Sequence, residues 1–224
     1  MPHTEIAPVP RTTEEAKATY DRLSKYYDAL ATSSEGRYID LGLEMLDIQE
    51  GEEVLEIGFG TGYATLQLAR SVGQAGKVYG LDISEGMYRQ TQDRLAEAGL
   101  LARAELKVGD AQQIPFPGAS MDAVFMSFTL ELFDTPQIPV VLDECRRVLR
   151  KGGRLCVVSL SKDQGLGVVG RLYEWLHMQF PRYLDCRPIP VQDLLREAGF
   201  ALADVRQTSM WGLPVATVLA RVQS

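Results

Sequence analysis

The chain has 224 residues, enough for one domain with a substantial hydrophobic core. Its 30 acidic residues outnumber its 23 basic residues, and the net charge of −7 argues against nucleic acid as a partner. No apolar run approaches the roughly 20 residues of a membrane span, and the N-terminal residues lack a signal-peptide pattern, so we expect a cytoplasmic protein. Cys145, Cys156 and Cys186 do not have the spacing of metal ligands, so we expect reduced thiols and no bound metal.

Two helices are predicted before the first strand. Residues 1–11 contain three prolines and no periodicity, which is typical of a loose tail. Thr12 and Glu15 have the spacing of a capping box, and apolar residues then recur on one helical face over residues 13–30. A second helix is predicted near residues 36–46.

The stretch 54–63 is the most informative part of the chain. Its first residues predict a buried strand, and three alternate glycines follow at once: Gly58, Gly60 and Gly62. Such glycines are expected where a strand turns sharply into a helix and the backbone approaches a ligand. A helix over residues 63–71 would complete the first unit of a nucleotide-binding α/β fold.

The glycine spacing and two nearby acids distinguish between cofactor classes. A dinucleotide site requires its third glycine at position 63, where this chain has Tyr63. Glu56, just before the glycines, would repel a pyrophosphate and suits a cation. Asp82 ends the next predicted strand, about 20 residues past Gly62, where an acid accepts hydrogen bonds from ribose hydroxyls.

The remaining pattern alternates between helices and strands. Helices are predicted over 85–98, 140–149 and 191–198, and strands over 104–108, 121–128, 154–160, 201–208 and 215–221. The hairpin-like adjacency of the last two strands predicts an antiparallel last strand. Residues 162–190 are too long for a plain connection and contain many aromatic and apolar residues, which is typical of a functional lid.

Several stretches resemble the class I S-adenosylmethionine (SAM) methyltransferases. They are the glycine run with Asp82, the Gly109-Asp110-Ala111 turn, and the paired glycines within residues 147–155. The N-terminal pair Tyr27-Asp28 is similar to the entrance helix of the ubiquinone/menaquinone C-methyltransferases. The resemblance implies a Rossmann-like α/β fold, with a mostly parallel sheet, an antiparallel last strand and helices on both faces. It also implies an N-terminal helix and a lid insertion.

The resemblance implies one methyltransferase domain over residues 1–224. Its segments are a tail (1–11), cap helices (12–50), a SAM-binding core (51–160), a substrate lid (161–190), and a C-terminal helix with two strands (191–224).

The implied cofactor is SAM, with S-adenosylhomocysteine as its product. Glu56 and the backbone of the glycines and Ser127 would orient the methionine portion, Asp82 the ribose, and Asp110 with Ala111 the adenine. Met87 lies either beside the adenine or in the core. The implied cofactor-binding residues are Tyr27, Glu56, Gly58, Phe59, Gly60, Gly62, Asp82, Ile83, Met87, Asp110, Ala111, Ser127 and Phe128.

The acceptor side is less specific. Tyr27, Glu131, His177 and Arg187 are candidates to line it, and His177 is a candidate base or a hydrogen-bonded lid residue. Relatives often have His or Arg where Glu131 stands. The lid favours an apolar or amphiphilic small-molecule acceptor, such as a prenylated ring or a phospholipid headgroup at a membrane surface, unless its aromatic residues belong to the core.

Two other functions stay open, an NAD-dependent oxidoreductase and a non-catalytic SAM-binding protein. A monomer or a homodimer is expected, with peripheral membrane contact as one option.

Overall fold

The computed structural model describes residues 35–163, 165 and 187–222. Its strands are β1 (Glu53–Ile57), β2 (Lys77–Asp82), β3 (Ala104–Val108), β4 (Met121–Ser127), β5 (Leu149–Leu160), β6 (Phe200–Met210) and β7 (Leu213–Val222). They form one seven-stranded sheet in the order β3-β2-β1-β4-β5-β7-β6. Strand β7 is antiparallel to both of its neighbours, and the pairs among β1 to β5 are parallel. The predicted mostly parallel sheet with an antiparallel last strand is therefore confirmed.

Helices cover both faces of this sheet. They are α1 (residues 35–46), α2 (Tyr63–Ser71), α3 (Glu85–Glu97), α4 (Ile138–Val148) and α5 (Val191–Glu197). Alternate strand residues point to opposite faces, so Val54 packs with the α1, α2 and α3 side while Leu55 packs with the α4 and α5 side. The central strands are apolar on both faces because both are covered.

Two element boundaries differ from the predictions for identifiable reasons. Helix α4 begins at Ile138 rather than at residue 140, because Pro139 fits the first helical turn, where its missing N–H is not needed. Strand β5 begins at Leu149 rather than at residue 154, because Leu149 pairs with Met121 before a register shift in the β4–β5 ladder. Gly152, with φ of 79°, lies within this irregular stretch.

Helix α1 crosses the sheet close to the strands that end at the candidate site. Its Gly42 lies so near Phe125 and Val158 that a Cβ there would be 2.9 Å and 2.6 Å from their side chains. Further toward the start of the described helix, Tyr38 packs edge-on against Phe128, with ring centroids 6.3 Å apart. The helix thus runs antiparallel to β4 and β5, and its first described residues lie beyond the carboxyl ends of these strands.

Several predictions fall outside the described residues. They concern the N-terminal tail, the helix over residues 13–30 and most of the predicted lid, including Tyr27 and His177. Within the part of the chain that is described, no helix is both long and apolar enough to cross a bilayer. Cys145 and Cys156 are buried free thiols, and burial raises the pKa of both above its usual range.

Candidate active site

The glycine turn joins the carboxyl end of β1 to the start of α2. Gly58, Gly60 and Gly62 have φ of 72°, 50° and 80°, a region that residues with a Cβ rarely adopt. Gly58 N donates to Leu81 O at 2.8 Å, which ties the turn to β2. In a parallel sheet, ligands bind beyond the carboxyl ends of the strands, so the turn lies where a ligand site is expected.

The three glycines have different surroundings. A Cβ on Gly58 would lie 2.5 Å from Thr129 Cγ2, and a Cβ on Gly62 would lie 2.6 Å from Thr91 Cγ2. A Cβ on Gly60 would meet no atom within 4 Å. The outer two glycines therefore make room for protein side chains, whereas the middle glycine borders open space.

Asp82, at the end of β2, holds this turn. Its Oδ2 accepts a hydrogen bond from Gly60 N at 2.9 Å, and its Oδ1 accepts one from Ser84 N at 2.9 Å. Thr91 Oγ1 of α3 donates to Gly60 O at 2.8 Å. The conformation of the turn is thus set by residues on β2 and α3.

Glu56 is a buried acid beneath the turn. Only 2% of its surface is exposed, and its Oε2 accepts a hydrogen bond from Thr65 Oγ1 at 2.6 Å. The pKa of Glu56 is raised to about 8, chiefly by burial and also by the charge of Asp82, while the Thr65 hydrogen bond opposes the shift. A cation near this carboxyl would offset the cost of ionising it.

The predicted adenine-side residues lie at the ends of β2 and β3. Asp110 accepts from Gln112 N and Gln112 Nε2, both at 2.9 Å, so its carboxylate caps the short helical turn that begins at Ala111. Met87 is 2% exposed in the first turn of α3, and Ser84 Oγ accepts from Met87 N at 3.2 Å. Ile83 lies between Asp82 and this helix, half-buried.

Phe59 differs from its neighbours in the turn because its side chain packs inside the protein. It is 3% exposed, and a Cβ on Gly80 of β2 would lie 2.8 Å from Phe59 Cδ1. Gly80 therefore makes room for the Phe59 ring.

The segment after β4 forms the opposite wall. Phe128, with φ of 49°, donates its N–H to Val158 O at 2.8 Å, and Thr129 Oγ1 donates to Ser127 O at 2.9 Å. Glu131 follows in a short helical turn and is fully buried. These bonds place Ser127, Phe128 and Glu131 between the glycine turn and the end of β5.

Arg187 secures this wall. It is 1% exposed, and its guanidinium donates to Phe133 O at 2.6 Å, Thr135 Oγ1 at 3.2 Å and Glu131 O at 3.3 Å. Burial lowers the pKa of Arg187, although the charges of Asp134 and Glu131 oppose that shift. The contacts that the structure describes for Arg187 hold this loop, and its predicted place beside the acceptor stays a prediction.

No sequence pattern indicates Thr65, Thr91 or Thr129 as site residues. Each of these threonines contacts a predicted site residue that lies on another element: Thr65 contacts Glu56, Thr91 contacts Gly60, and Thr129 contacts Gly58. A small β-branched residue in a helix or loop has no pattern that separates such a role from ordinary packing.

Comparisons with known proteins agree with the geometry. Residues 54–153 match a family model described as a methyltransferase domain. A demethylmenaquinone methyltransferase of Symbiobacterium thermophilum is 30% identical over 226 residues, covering 88% of this chain and 89% of that protein. A ubiquinone/menaquinone biosynthesis C-methyltransferase of Azotobacter vinelandii is 33% identical over 132 residues, covering 59% of this chain and 51% of that protein.

Solved structures show the same fold. A SAM-dependent methyltransferase from Aquifex aeolicus has a TM-score of 0.66 and 24% identity, covering 92% of this chain and 98% of its own. A [4+2]-cyclase, SpnF, has a TM-score of 0.75 and 20% identity, covering 97% and 99%. The turn, its two acids and the sheet order define a SAM-binding α/β enzyme. The chain belongs to the class I SAM-dependent methyltransferase family, and SAM is its methyl donor.

The residues of the turn fit this cofactor. SAM carries a positive sulfonium and ammonium and no phosphate, which suits the buried acid Glu56 rather than a cluster of basic residues. The open space beside Gly60 has the character of a cradle that a Cβ would fill.

Proposed function

We propose that this enzyme transfers the methyl group of SAM to a small apolar or amphiphilic acceptor, a ring similar to a quinone precursor. The observation that carries this proposal is the 30% identity to a demethylmenaquinone methyltransferase over 89% of that protein. The domain model matches residues 54–153 only, whereas the similarity to this relative covers 88% of the chain. The similarity therefore extends beyond the SAM-binding residues.

The geometry supports the proposed cofactor-side roles. Glu56 and the backbone of Gly58, Gly60 and Ser127 would orient the methionine portion, and Asp82 would accept hydrogen bonds from the ribose. The same carboxylate already accepts from Gly60 N and Ser84 N, so its position is fixed before a ligand arrives.

The adenine would lie between β2 and β3. Asp110 and Ala111 would bind its edge, and Ile83 and Met87 would border it. The backbone of Phe59 and Gly62 would border the cofactor at the turn, and Phe128 would border it from the opposite wall. Tyr27 would close over the cofactor from the N-terminal segment.

SAM supplies a methyl group that its sulfonium already activates toward nucleophiles. The chain's residues therefore need only bind and align the two reactants, exclude water and, for a protic acceptor, remove a proton. Glu131 and His177 are the candidates for that proton transfer, with Tyr27 as a further residue of the acceptor side.

Incubation with methyl-labelled SAM tests the proposal. A reduced, short-chain demethylmenaquinone should become labelled, while vesicles of phosphatidylethanolamine should not, and an Asp82→Ala variant should label the quinol more slowly at limiting SAM. Label in the lipid alone would assign a headgroup acceptor. Calorimetric binding of S-adenosylhomocysteine without label in any arm would contradict the quinone-like acceptor.

A thermal-shift comparison checks the cofactor class. S-adenosylhomocysteine should raise the melting temperature and NAD should not, because position 63 lacks the glycine of a dinucleotide site.

A further inference from the structure

Glu131 is a buried carboxyl with one oxygen to spare. It is fully buried, and its Oε1 accepts a hydrogen bond from Leu160 N at 3.1 Å. Among the described residues, its Oε2 has no hydrogen-bond partner. Buried polar atoms are nearly always paired, so an unpaired carboxyl oxygen near the carboxyl ends of parallel strands, where ligands bind, indicates a ligand group.

Glu131 also lies beside the cofactor turn. Thr129, two residues earlier, packs against Gly58, and Leu160 is the last residue of β5. The carboxyl is therefore held at the carboxyl ends of β4 and β5, on the side of the turn away from Asp110.

Glu35 approaches the same place from α1. The inward face of this helix consists of Tyr38, Ile39, Gly42 and Leu46, and Glu35 continues that face one turn beyond Tyr38. Because α1 runs antiparallel to β4 and β5, Glu35 lies past the strand ends, where Glu131 is located.

The electrostatics of the two carboxyls agree with this placement. The pKa of Glu131 is raised to about 7, chiefly by burial and also by the charge of Glu35, while backbone hydrogen bonds such as the one from Leu160 N oppose the shift. Burial likewise raises the pKa of Glu35 to about 7.

Other charged groups surround the pair. Arg187 and Asp134 lie on the loop side, and Lys162 follows β5 and is 7% exposed. Arg37 and Asp40 are on α1, on its exposed face.

We propose that Glu35 and Glu131 form a two-carboxyl site that binds a hydroxyl or amino group of the methyl acceptor and takes its proton. This inference rests on the proposed function and adds the acceptor's chemical class, a protic nucleophile. Glu131 Oε2 is the proton acceptor, and Glu35 keeps the pair basic enough near neutral pH.

The proposed step balances. The O–H or N–H bond of the acceptor breaks and its proton moves to Glu131 Oε2. The electron pair that stays on the acceptor, either on that atom or delocalised onto a ring carbon, forms the new bond to the methyl carbon. If a ring carbon takes the methyl group, that carbon then loses its hydrogen to water as a proton and the acceptor oxygen regains one. The carbon–sulfur bond breaks, and its electron pair remains on sulfur.

Unfolding measurements on the protein without ligand test the pair. Folded Glu35 and Glu131 keep protons that the unfolded chain has lost, so stability should fall as pH rises from about 4.5 to 7. Each such carboxyl changes the unfolding constant by up to about tenfold per pH unit. The reductions in the slope of stability against pH caused by Glu35→Gln and by Glu131→Gln should sum to more than the reduction in the double variant, because the charge of Glu35 contributes to the raised pKa of Glu131.

Glu44→Gln is the matched control, because Glu44 lies on the exposed face of α1. This variant should leave the slope of stability against pH unchanged. Glu56, whose pKa is also raised, contributes equally to that slope in every variant. The proposed pair would be refuted if the two single variants reduced the slope of stability against pH additively. It would also be refuted if their slopes equalled that of Glu44→Gln.

Ligand binding tests the acceptor class. In the presence of S-adenosylhomocysteine, 1-naphthol should bind at least about tenfold more tightly than 1-methoxynaphthalene, since a hydrogen bond to a charged group is lost in the ether. Glu131→Gln should reduce that ratio while leaving the affinity for S-adenosylhomocysteine unchanged. Equal affinity for 1-naphthol and 1-methoxynaphthalene would refute a site for a protic group. If neither compound bound, a ring-shaped acceptor would be refuted, and the unfolding measurements would test the Glu35–Glu131 pair.

Discussion

Replacing Gly60 with alanine separates cofactor binding from folding. A Cβ at this position would meet no protein atom within 4 Å, so the only cost to folding is the left-handed backbone at φ of 50°. That cost is about 1 to 2 kcal/mol, and Ala119 already adopts φ of 52° in this chain. The added methyl group would instead occupy the open space that we assign to SAM.

The expected loss of affinity follows from overpacking. Forcing a methyl group into a filled site costs about 1 to 3 kcal/mol, and each 1.4 kcal/mol is about tenfold in affinity. Calorimetric titration of Gly60→Ala with S-adenosylhomocysteine should therefore show binding weakened by about 5-fold to 150-fold.

Gly58→Ala is the matched comparison. Its Cβ would lie 2.5 Å from Thr129 Cγ2, and its backbone has φ of 72°, so both costs fall on the folded state. Urea unfolding should show a loss of about 2 to 5 kcal/mol for Gly58→Ala and of about 1 to 2 kcal/mol for Gly60→Ala. Wild-type affinity in folded Gly60→Ala would show that the space beside Gly60 does not receive the cofactor.

Three further outcomes follow from the structure. Asp82→Ala should weaken calorimetric binding of S-adenosylhomocysteine by about tenfold to a hundredfold, the effect of losing a charge-assisted hydrogen bond. Gly42→Ala should destabilise the protein to urea by about 1 to 3 kcal/mol, because its Cβ would lie 2.9 Å from the Phe125 ring, whereas Gly36→Ala, with its nearest atom at 3.6 Å, should not. Glu56 has a pKa of about 8, so binding an ammonium must release its proton; affinity for S-adenosylhomocysteine should rise by up to about tenfold per unit from pH 6 to 8, and Glu56→Gln should flatten that rise.

Local patterns accounted for much of the fold. Helix α2 occupies residues 63–71 as predicted, because a glycine turn fixes its start and its apolar spacing fixes its face. Strand β3 likewise matches residues 104–108. In both cases the determining residues lie within the element or next to it.

Element boundaries and contacts that depend on residues distant in sequence could not be predicted from local patterns. The start of β5 depends on Leu149 pairing with Met121, which no property of residues 149–153 indicates. The effect of the Glu35 charge on Glu131 depends on the path of α1 across the sheet. Periodicity gives the buried face of a helix and says nothing of which loop that face meets.

The alternate glycines of the turn meet two separate demands. Gly58 and Gly62 are required by the protein itself, because Thr129 and Thr91 occupy the space that their side chains would fill. Gly60 has no such neighbour, and hydrogen bonds to Asp82 and from Thr91 fix its peptide groups. A turn that is clamped on both sides and open in the middle has its binding conformation before a ligand arrives, so little ordering entropy opposes cofactor binding. These hydrogen bonds also explain why three closely spaced glycines do not make the turn flexible. The conformational freedom of their backbone is lost once, during folding.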